Sequence, residues 1–386
     1  MSEPKRRRRA ARPSPFVLAH AGADHWGRAA KACLEGVAEA AGGSNIGFLY
    51  ATEEFATDLS SILTFLRETT HIEHWVGGVA PGVCAGRDEY RDEGALAVMV
   101  GHLPEGAFRP FSCLDPGTFL SRNGEWLAQQ GAGAVGLVHA DPRNPAAPEM
   151  VAEVAAAVGW LAGGFVAGSG PPAQVADSVT SGGLSGVLLG SAIEVMAGLT
   201  QGCTPIGPSH RVTEAWEGVL MALDGRPALE MLKEEAGELI ARDLRRAAGY
   251  IHVGLTVEGS DTNDYVVRNL LGVDPRQGWL AIGDRLELGQ QLMFVRRDAN
   301  AAQADLRRML RSLKARLGGR RLRAGFYFSC VARGSHMFGE DGGELALIAA
   351  ELGDFPLIGC YANGEISRDR LYGYTGVLAL IPEPKA

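Results

Sequence analysis

Near its C-terminus the chain reads AGFYFSCVARG at residues 324–334, GELALIAAEL at 343–352, FPLIGCYANGEI at 355–366 and GVLALI at 376–381. The first, third and fourth runs are short, apolar and partly β-branched or aromatic, which is typical of strands. The second has apolar residues at helical spacing. The stretch therefore predicts a strand, a helix, a strand that ends in a glycine turn, and a last strand.

The same order of elements occurs twice earlier in the chain. The first copy has predicted strands at 45–52, 75–82 and 95–100, with a helix at 59–66 after the first strand. The second copy has predicted strands at 134–141, 160–170 and 186–189, with a helix at 150–158 after the first strand. Order and spacing agree as well as residue type, so we predict that one β-α-β-loop-β unit recurs three times. A first strand at 16–22 and a helix at 26–40 precede the first copy.

Glycine is the informative residue in the loops of these units, because it permits positive φ and close approach of the backbone to a ligand or another strand. Two roles are open for each loop: it is a tight turn between packed strands, or it is part of a pocket where several loops converge. No loop has the Walker A spacing with its lysine, and none has a convincing GxGxxG between a strand and a helix. We therefore predict no nucleotide cofactor.

Composition limits the function classes. With 386 residues the chain is long enough for two domains, and its net charge of −8 argues against a general nucleic-acid binder. Six cysteines are widely spread without a CxxC pair, which favours reduced thiols in the cytoplasm over a disulfide framework or a zinc site. No apolar run approaches the roughly 20 residues of a membrane span. His71 and His74 lack an evident third ligand, so no metal site is predicted.

The remaining segments differ in character. Residues 1–14 form a basic tail that we expect to be disordered and solubilising, although such a tail could also contact nucleic acid or a membrane surface. Residues 101–130 carry loop signals, and 196–208 hold prolines and glycines that predict a turned domain junction. Strands are then predicted at 211–215, 219–223, 251–255, 279–284 and 291–295, before an amphipathic helix at 301–317 with Leu306, Leu310 and Leu313 buried.

Four segments together resemble the FIST family: LTQGCTPIGP at 199–208, LDGRPA at 223–228, FSCVARG at 328–334 and GCYANGEI at 359–366. The resemblance covers the chain from about residue 15 to the end. It implies a FIST N-terminal domain at 15–208 and a FIST C-terminal domain at 209–386. It also implies a small-ligand sensory module with an amino acid as ligand. Some relatives carry an F-box or output domains; this chain has neither, so the resemblance implies a stand-alone cytoplasmic sensor with a separate signalling partner.

Two charged residues are the main candidates for ligand binding. The guanidinium of Arg333 matches a carboxylate bidentately, and the carboxylate of Glu365 could bind an ammonium group, which together suits an amino-acid-like ligand. The alternative is an Arg333–Glu365 salt bridge without a ligand. The other predicted binding residues come from the junction and from the last repeat: Gln201, Gly202, Cys203, Cys330, Gly334, Asn363 and Gly364.

Two other function classes remain open. One is a thiol-dependent hydrolase or transferase that uses Cys330, with His336 close in sequence but no identified orienting acid. The other is a ligand-free interaction scaffold with an exposed apolar patch. We favour the sensor, without catalytic residues, on an α/β fold of two domains. Its mixed sheets would be built from repeated β-α-β-β units, in an arrangement layered helix, sheet, sheet, helix.

Overall fold

The computed structural model describes residues 16–131, 133–166, 174–237, 250–257, 265–339 and 342–385. The predicted basic tail at 1–14 lies outside them. Strands and helices alternate through mixed sheets, and the chain forms two domains: a body of three sheets and a barrel. The predicted α/β class with two domains is confirmed. Within the described ranges, no helix is long and apolar enough to cross a membrane.

Two of the three units of the body are complete before the barrel begins. The elements of the first are β1 Val17–Gly22, α1 Trp26–Ala41, β2 Ile46–Thr52, a 3-10 turn Glu53–Asp58, α2 Leu59–Thr70, β3 His74–Ala80, β4 Gly82–Ala85, β5 Asp88–Arg91 and β6 Ala95–Gly101. Those of the second are β7 Phe108–Cys113, α3 Phe119–Gln130, β8 Val135–Ala140, α4 Ala147–Val158, β9 Trp160–Phe165, β10 Gln174–Ala176, β11 Ser178–Thr180 and β12 Leu184–Leu189.

The third unit is interrupted by the barrel. It opens with β13 Met196–Gln201. The barrel follows with β14 Cys203–Pro205, β15 His210–Trp216, β16 Val219–Leu223, β17 Arg226–Pro227, α5 Ala228–Ala236, β18 Ile251–Thr256, β19 Tyr265–Asp274, β20 Trp279–Ile282 and β21 Gln291–Arg297. The unit then resumes with α6 Ala299–Leu317, β22 Leu322–Cys330, α7 Ser335–Phe338, α8 Gly343–Leu352, β23 Leu357–Ala362, β24 Glu365–Ser367, β25 Arg370–Tyr372 and β26 Thr375–Pro382.

The three units share one pairing scheme. In the first, β2 pairs in parallel with β3 and antiparallel with β6, and β6 pairs with β1. The second repeats this scheme with β8, β9, β12 and β7. The third repeats it with β22, β23, β26 and β13. The predicted repeat is therefore confirmed. Each unit also begins with a further strand, of which the sequence predicted β1 but not β7 or β13.

The units are joined by exchanged hairpins. The β4–β5 hairpin of the first unit extends the sheet of the third, by pairing with β23. The β10–β11 hairpin of the second unit extends the sheet of the first, by pairing with β3. The β24–β25 hairpin of the third unit extends the sheet of the second, by pairing with β9. Each of the three six-stranded sheets therefore contains strands of two units.

The core of the body lies where the three sheets face one another. Tyr50, His139 and Phe328 occupy the same position in the central strands β2, β8 and β22, and their ring centroids lie 5.4 to 6.3 Å apart. The outer face of each sheet is covered by helices: α1 and α2, α3 and α4, or α6 and α8. Between any two sheets the layers therefore run helix, sheet, sheet, helix, as predicted.

Repeated glycines allow the parallel strands to approach closely. Gly77, Gly163 and Gly359 hold the same position in β3, β9 and β23. A Cβ atom at any of them would lie 1.8 Å from a backbone carbonyl oxygen of the neighbouring strand, so no other residue fits. These glycines serve strand packing rather than a ligand pocket.

The barrel is closed and antiparallel, because β21 pairs with both β15 and β18. The segment 196–208, predicted as turns, instead contains β13 and β14. Both are edge strands, where the lost hydrogen bond of a proline is tolerated. Sequence reasoning also missed β19 and, within the expected loops at 101–130, the elements β7 and α3. The buried positions predicted for Leu306, Leu310 and Leu313 on α6 are confirmed. The division of the chain at residue 208 stays a prediction.

Candidate functional site

A cleft of about 520 Å³ lies between the barrel and the third unit. The barrel contributes one wall through β19 and the loop after β20. The third unit contributes the other through the ends of β22 and β23 and the turn before β26. The residues that line the cleft are Val267, Arg268, Asn269, Leu271, Gly283, Cys330, Val331, Ala332, Asn363, Gly364, Tyr372, Gly373 and Tyr374. Three of the predicted site residues, Cys330, Asn363 and Gly364, are therefore brought together in one wall.

The turn at Asn363 and Gly364 shapes this wall. Gly364 has φ of +128°, which side chains rarely adopt, and a Cβ atom there would lie 2.9 Å from the ring of Phe165. The backbone N–H of Asn363 donates to the carbonyl of Phe165 at 3.2 Å. The third unit's turn is thus fixed against the second unit, whose strand β9 pairs with β24.

Cys330 ends β22 at the bottom of the cleft and is 6% exposed. Burial, reinforced by the nearby carboxyl of Glu365, raises the pKa of the Cys330 thiol to about 12. The thiol therefore keeps its proton at neutral pH, which is unfavourable for a nucleophile. The Nε2 atom of His336 is hydrogen-bonded to Arg297, so the Cys–His pair considered from the sequence is absent among the described residues.

Glu365 lies behind Cys330 rather than in the cleft wall. Its Oε2 atom accepts hydrogen bonds from the backbone N–H and the hydroxyl of Thr375, at 3.2 and 2.6 Å. Its Oε1 atom is buried and has no partner of standard hydrogen-bond geometry among the described residues. Burial raises the pKa of Glu365 to about 8, so the carboxyl is largely protonated at neutral pH. It is therefore a poor partner for an ammonium group.

Arg333 is 1% exposed and does not line the cleft. Its Nε and Nη2 atoms donate to Oε1 of Glu344 at 2.8 and 2.6 Å. The hydroxyls of Tyr327 and Ser329 also donate to this carboxylate, at 2.6 and 2.8 Å. The salt bridge between Arg333 and Glu365 that the sequence suggested as an alternative is therefore wrong. The partner of Arg333 is Glu344, in the first turn of α8, because that turn faces the end of β22.

The junction residues lie behind the same wall. Gln201 donates from Nε2 to the carbonyl of Tyr265 at 2.7 Å, and Cys203 accepts a hydrogen bond from the Tyr265 hydroxyl through its carbonyl. A Cβ atom on Gly202 would lie 2.8 Å from the carbonyl oxygen of Tyr374. Gln201 therefore joins the body to the barrel, the contact of Cys203 lies within the barrel, and none of the three junction residues lines the cleft.

Comparison with known proteins gives matches to two family models. The FIST N domain matches residues 45–226 and the FIST C domain matches residues 228–368. The chain belongs to the FIST family. FIST domains are in general sensory modules that bind small ligands. The two FIST matches meet inside the barrel, next to β17.

Curated relatives of this FIST protein span nearly its whole length. The uncharacterized protein Rv0628c of Mycobacterium tuberculosis is 30% identical over 371 residues, which cover 91% of this chain and 95% of the relative. The uncharacterized protein Mb0898c of Mycobacterium bovis is 30% identical over 350 residues, which cover 85% of this chain and 87% of the relative. Most residues that line the cleft fall within the FIST C match, and Tyr372, Gly373 and Tyr374 lie a few residues beyond its end at residue 368.

Sequence reasoning missed the barrel wall of the cleft in this FIST protein, because β19 was not predicted. Arg268 on this strand is the one charged side chain among the described residues that line the cleft. Its Nε atom contacts the carboxylate of Asp284 at 2.5 Å. Tyr374 faces it across the cleft with φ of +62°, and its hydroxyl donates to Oδ1 of Asn269 at 2.8 Å. The left-handed backbone of a bulky residue beside a cleft is the kind of strain that clusters at functional sites.

The described residues contain no cluster of three or more metal-ligating side chains. Of the two histidines considered from the sequence, His74 pairs through Nδ1 with Asp177 at 3.1 Å. His71 caps the end of α2 with a left-handed backbone. The chemistry available in the cleft is thus recognition by one guanidinium, amides, tyrosines and backbone groups.

Proposed function

We propose that this FIST protein is a sensor that binds a small carboxylate, such as an amino acid, in the cleft between the barrel and the third unit. One observation carries the proposal: a cleft of about 520 Å³ joins predicted residues of the third unit to the barrel wall. Pockets for small ligands commonly enclose about 300–1,000 Å³ and often lie between domains. Family membership supplies the sensory part of the proposal.

Arg268 is the residue that we assign to the ligand carboxylate. A guanidinium donates charge-assisted hydrogen bonds to carboxylate oxygens. Arg268 is held in place by Asp284 through Nε and by the carbonyl of Leu371 through Nη1, at 2.5 and 3.3 Å. In this proposal Cys330, Asn363 and Gly364 contact the ligand directly. The other predicted residues support their wall from behind.

Ligand binding in such a place is coupled to the arrangement of the two domains. Because the walls belong to different domains, a ligand that contacts both stabilises the closed arrangement by its differential affinity. A separate signalling protein would read that arrangement. We place the sensor in the cytoplasm as part of the same proposal, since all six cysteines are free thiols.

The proposal is tested by thermal unfolding of the full chain against a panel of amino acids and small carboxylates. A ligand at 100 times its Kd raises the free energy of unfolding by about 2.7 kcal/mol. We expect a compound that stabilises the wild type and loses its effect in Arg268→Gln. The matched control is Arg285→Gln, because Arg285 is exposed, close in sequence and outside the cleft.

A second variant tests the position of the site without removing a charge. Ala332 lines the cleft, so Ala332→Trp should fill it and weaken the same ligand. A ligand that binds both Arg268→Gln and Ala332→Trp as tightly as the wild type would reject the cleft. The absence of any stabilising compound at millimolar concentration would reject the small-carboxylate proposal.

A further inference from the structure

Three basic side chains from distant parts of the chain meet at the loop between β22 and α7. Arg91 comes from the exchanged hairpin of the first unit, at the end of β5. Arg297 comes from the barrel, at the end of β21. His336 belongs to α7 in the third unit. All three lie outside the set of residues that line the cleft.

The two guanidinium groups are fixed by consecutive carbonyls of this loop. Arg297 donates from Nη2 to the carbonyl of Ala332 at 2.7 Å. Arg91 donates from Nη2 to the carbonyl of Arg333 at 3.0 Å, and its guanidinium lies 3.4 Å above the centre of the Tyr361 ring. Both groups are therefore ordered before any ligand arrives, which lowers the entropy cost of binding.

Nitrogens of His336 and Arg91 converge on Gly334, and Arg297 is joined to them through His336. From the point that a Cβ atom of Gly334 would occupy, Nδ1 of His336 is 3.6 Å away and Nη1 of Arg91 is 3.9 Å away. Arg297 is hydrogen-bonded to Nε2 of His336. A guanidinium has only donors, so Nε2 must accept and the proton of the neutral imidazole lies on Nδ1, facing Gly334. The glycine leaves room beside these donors, since it has no side chain.

Only one of the two guanidinium charges of this cluster is paired with an acid among the described residues. Arg91 has Glu89 near its Nε atom, at 3.4 Å. Arg297 has no carboxylate within ion-pair distance in the part of the chain that the structure describes. Burial and the positive charges of Arg297 and Arg91 lower the pKa of His336, which supports the closeness of the three groups. Like charges held together cost free energy that a bound anion would offset.

We propose that the Gly334 loop, with Arg91, Arg297 and His336, is a binding site for a phosphate group. Two guanidinium groups beside the donors at Gly334 suit a phosphate group, which carries up to about two negative charges, better than a carboxylate, which carries one. The site is separate from the carboxylate cleft and does not depend on it.

Equilibrium dialysis of the full chain with radiolabelled inorganic phosphate tests this site. We expect saturable binding of one phosphate per chain, weakened about tenfold or more in Arg297→Gln through loss of a charged hydrogen-bond donor. Arg296→Gln is the matched control. It removes the same charge from the adjacent residue, whose exposed side chain pairs with Asp298 at 3.9 Å.

Further measurements distinguish a specific phosphate site from general electrostatic attraction of anions to the protein. Acetate at the same ionic strength should leave bound phosphate unchanged, and equal competition by acetate would overturn the phosphate assignment. Unchanged affinity in Arg297→Gln, or no saturable binding by the wild type at millimolar phosphate, would overturn the site. Should Arg297→Gln fail to fold, His336→Ala carries the test. His336 is exposed, and its loss should weaken phosphate binding while the thermal unfolding temperature stays unchanged.

Discussion

Gln174 and Glu365 occupy the same position in two repeated hairpins. Gln174 opens β10 and pairs with Gly78 of β3, and Glu365 opens β24 and pairs with Gly164 of β9. Both side chains are fully buried, and each has one oxygen without a partner of standard hydrogen-bond geometry in the part of the chain that the structure describes. The matching residue of the third hairpin is Val83. Because an amide and a valine serve at the equivalent positions, the fold does not require an acid there. The acid is specific to the unit beside the cleft.

The first prediction concerns the pH dependence that Glu365 confers on stability. Burial raises the pKa of Glu365 from 4.5 to about 8, so the native state holds a proton that the unfolded state releases. The free energy of unfolding should therefore fall as pH rises from about 4.5 to about 8. Glu365→Gln removes this contribution, so the variant should gain stability relative to the wild type between pH 5 and pH 8. Urea denaturation at several pH values measures the difference.

The control for this prediction is an acid of the same type on the surface. Glu105 is exposed, so the stability of Glu105→Gln relative to the wild type should not change over the same pH range. A constant difference between Glu365→Gln and the wild type across the range would show that the native carboxyl is ionised. The reciprocal variant Gln174→Glu should acquire a pH dependence of the same sign, because its site is equally buried.

The repeat and most of its strands could be predicted because each unit carries its own local signal. An apolar strand such as β22, a helix such as α8 and the glycine-bearing strand β23 recur with similar spacing. The exchange of hairpins could not be predicted in this way. β10, β11, β24 and β25 have three residues each, too few to show a period, and their partners lie in other units.

The candidate site was predictable only in part, for a similar reason. The glycine turn at Gly364 and the strand end at Cys330 are local features of the sequence. The partner of Arg333 is Glu344, and a glutamate in the first turn of a helix usually faces solvent. The barrel wall with Arg268 depends on β19, whose position opposite β22 follows from tertiary packing alone.

The second prediction concerns the buried ion pair of Arg333 and Glu344, whose side chains are 1% and 2% exposed. Glu344→Ala leaves the guanidinium buried without its partner, so the free energy of unfolding should fall by about 3–5 kcal/mol. The matched control is Asp354→Ala in the exposed pair of Arg87 and Asp354, which should cost at most about 1 kcal/mol. Chemical denaturation compares the two, and equal losses would refute the special role of the buried pair.

The third prediction concerns the glycines that let parallel strands approach. A Cβ atom at Gly359 would lie 1.8 Å from the carbonyl oxygen of Tyr327, so Gly359→Ala must displace a strand. We expect a loss of about 3 kcal/mol or more in the free energy of unfolding. Gly42→Ala is the control, since nothing lies within 4 Å of its added methyl group and its effect should stay within about 0.5 kcal/mol. Similar unfolding temperatures for the two variants would contradict the packing argument.

The last prediction concerns His210, which joins three elements of the barrel. Its Nδ1 atom lies 2.7 Å from the carboxylate of Asp224, and its Nε2 atom contacts Glu235. Burial lowers the pKa of His210, but the hydrogen bonds to Glu235 and Asp224 outweigh it and raise the pKa above 6.5. Since the folded pKa exceeds the unfolded one, the extra stability is complete below pH 6.5 and is lost as pH rises through the folded pKa.

His210→Gln should therefore be most destabilised relative to the wild type at acid pH, and less so above neutrality. Urea denaturation of both proteins from pH 5.5 to pH 9 measures this trend, and a deficit that is independent of pH would mean that folding leaves the pKa of the imidazole unchanged.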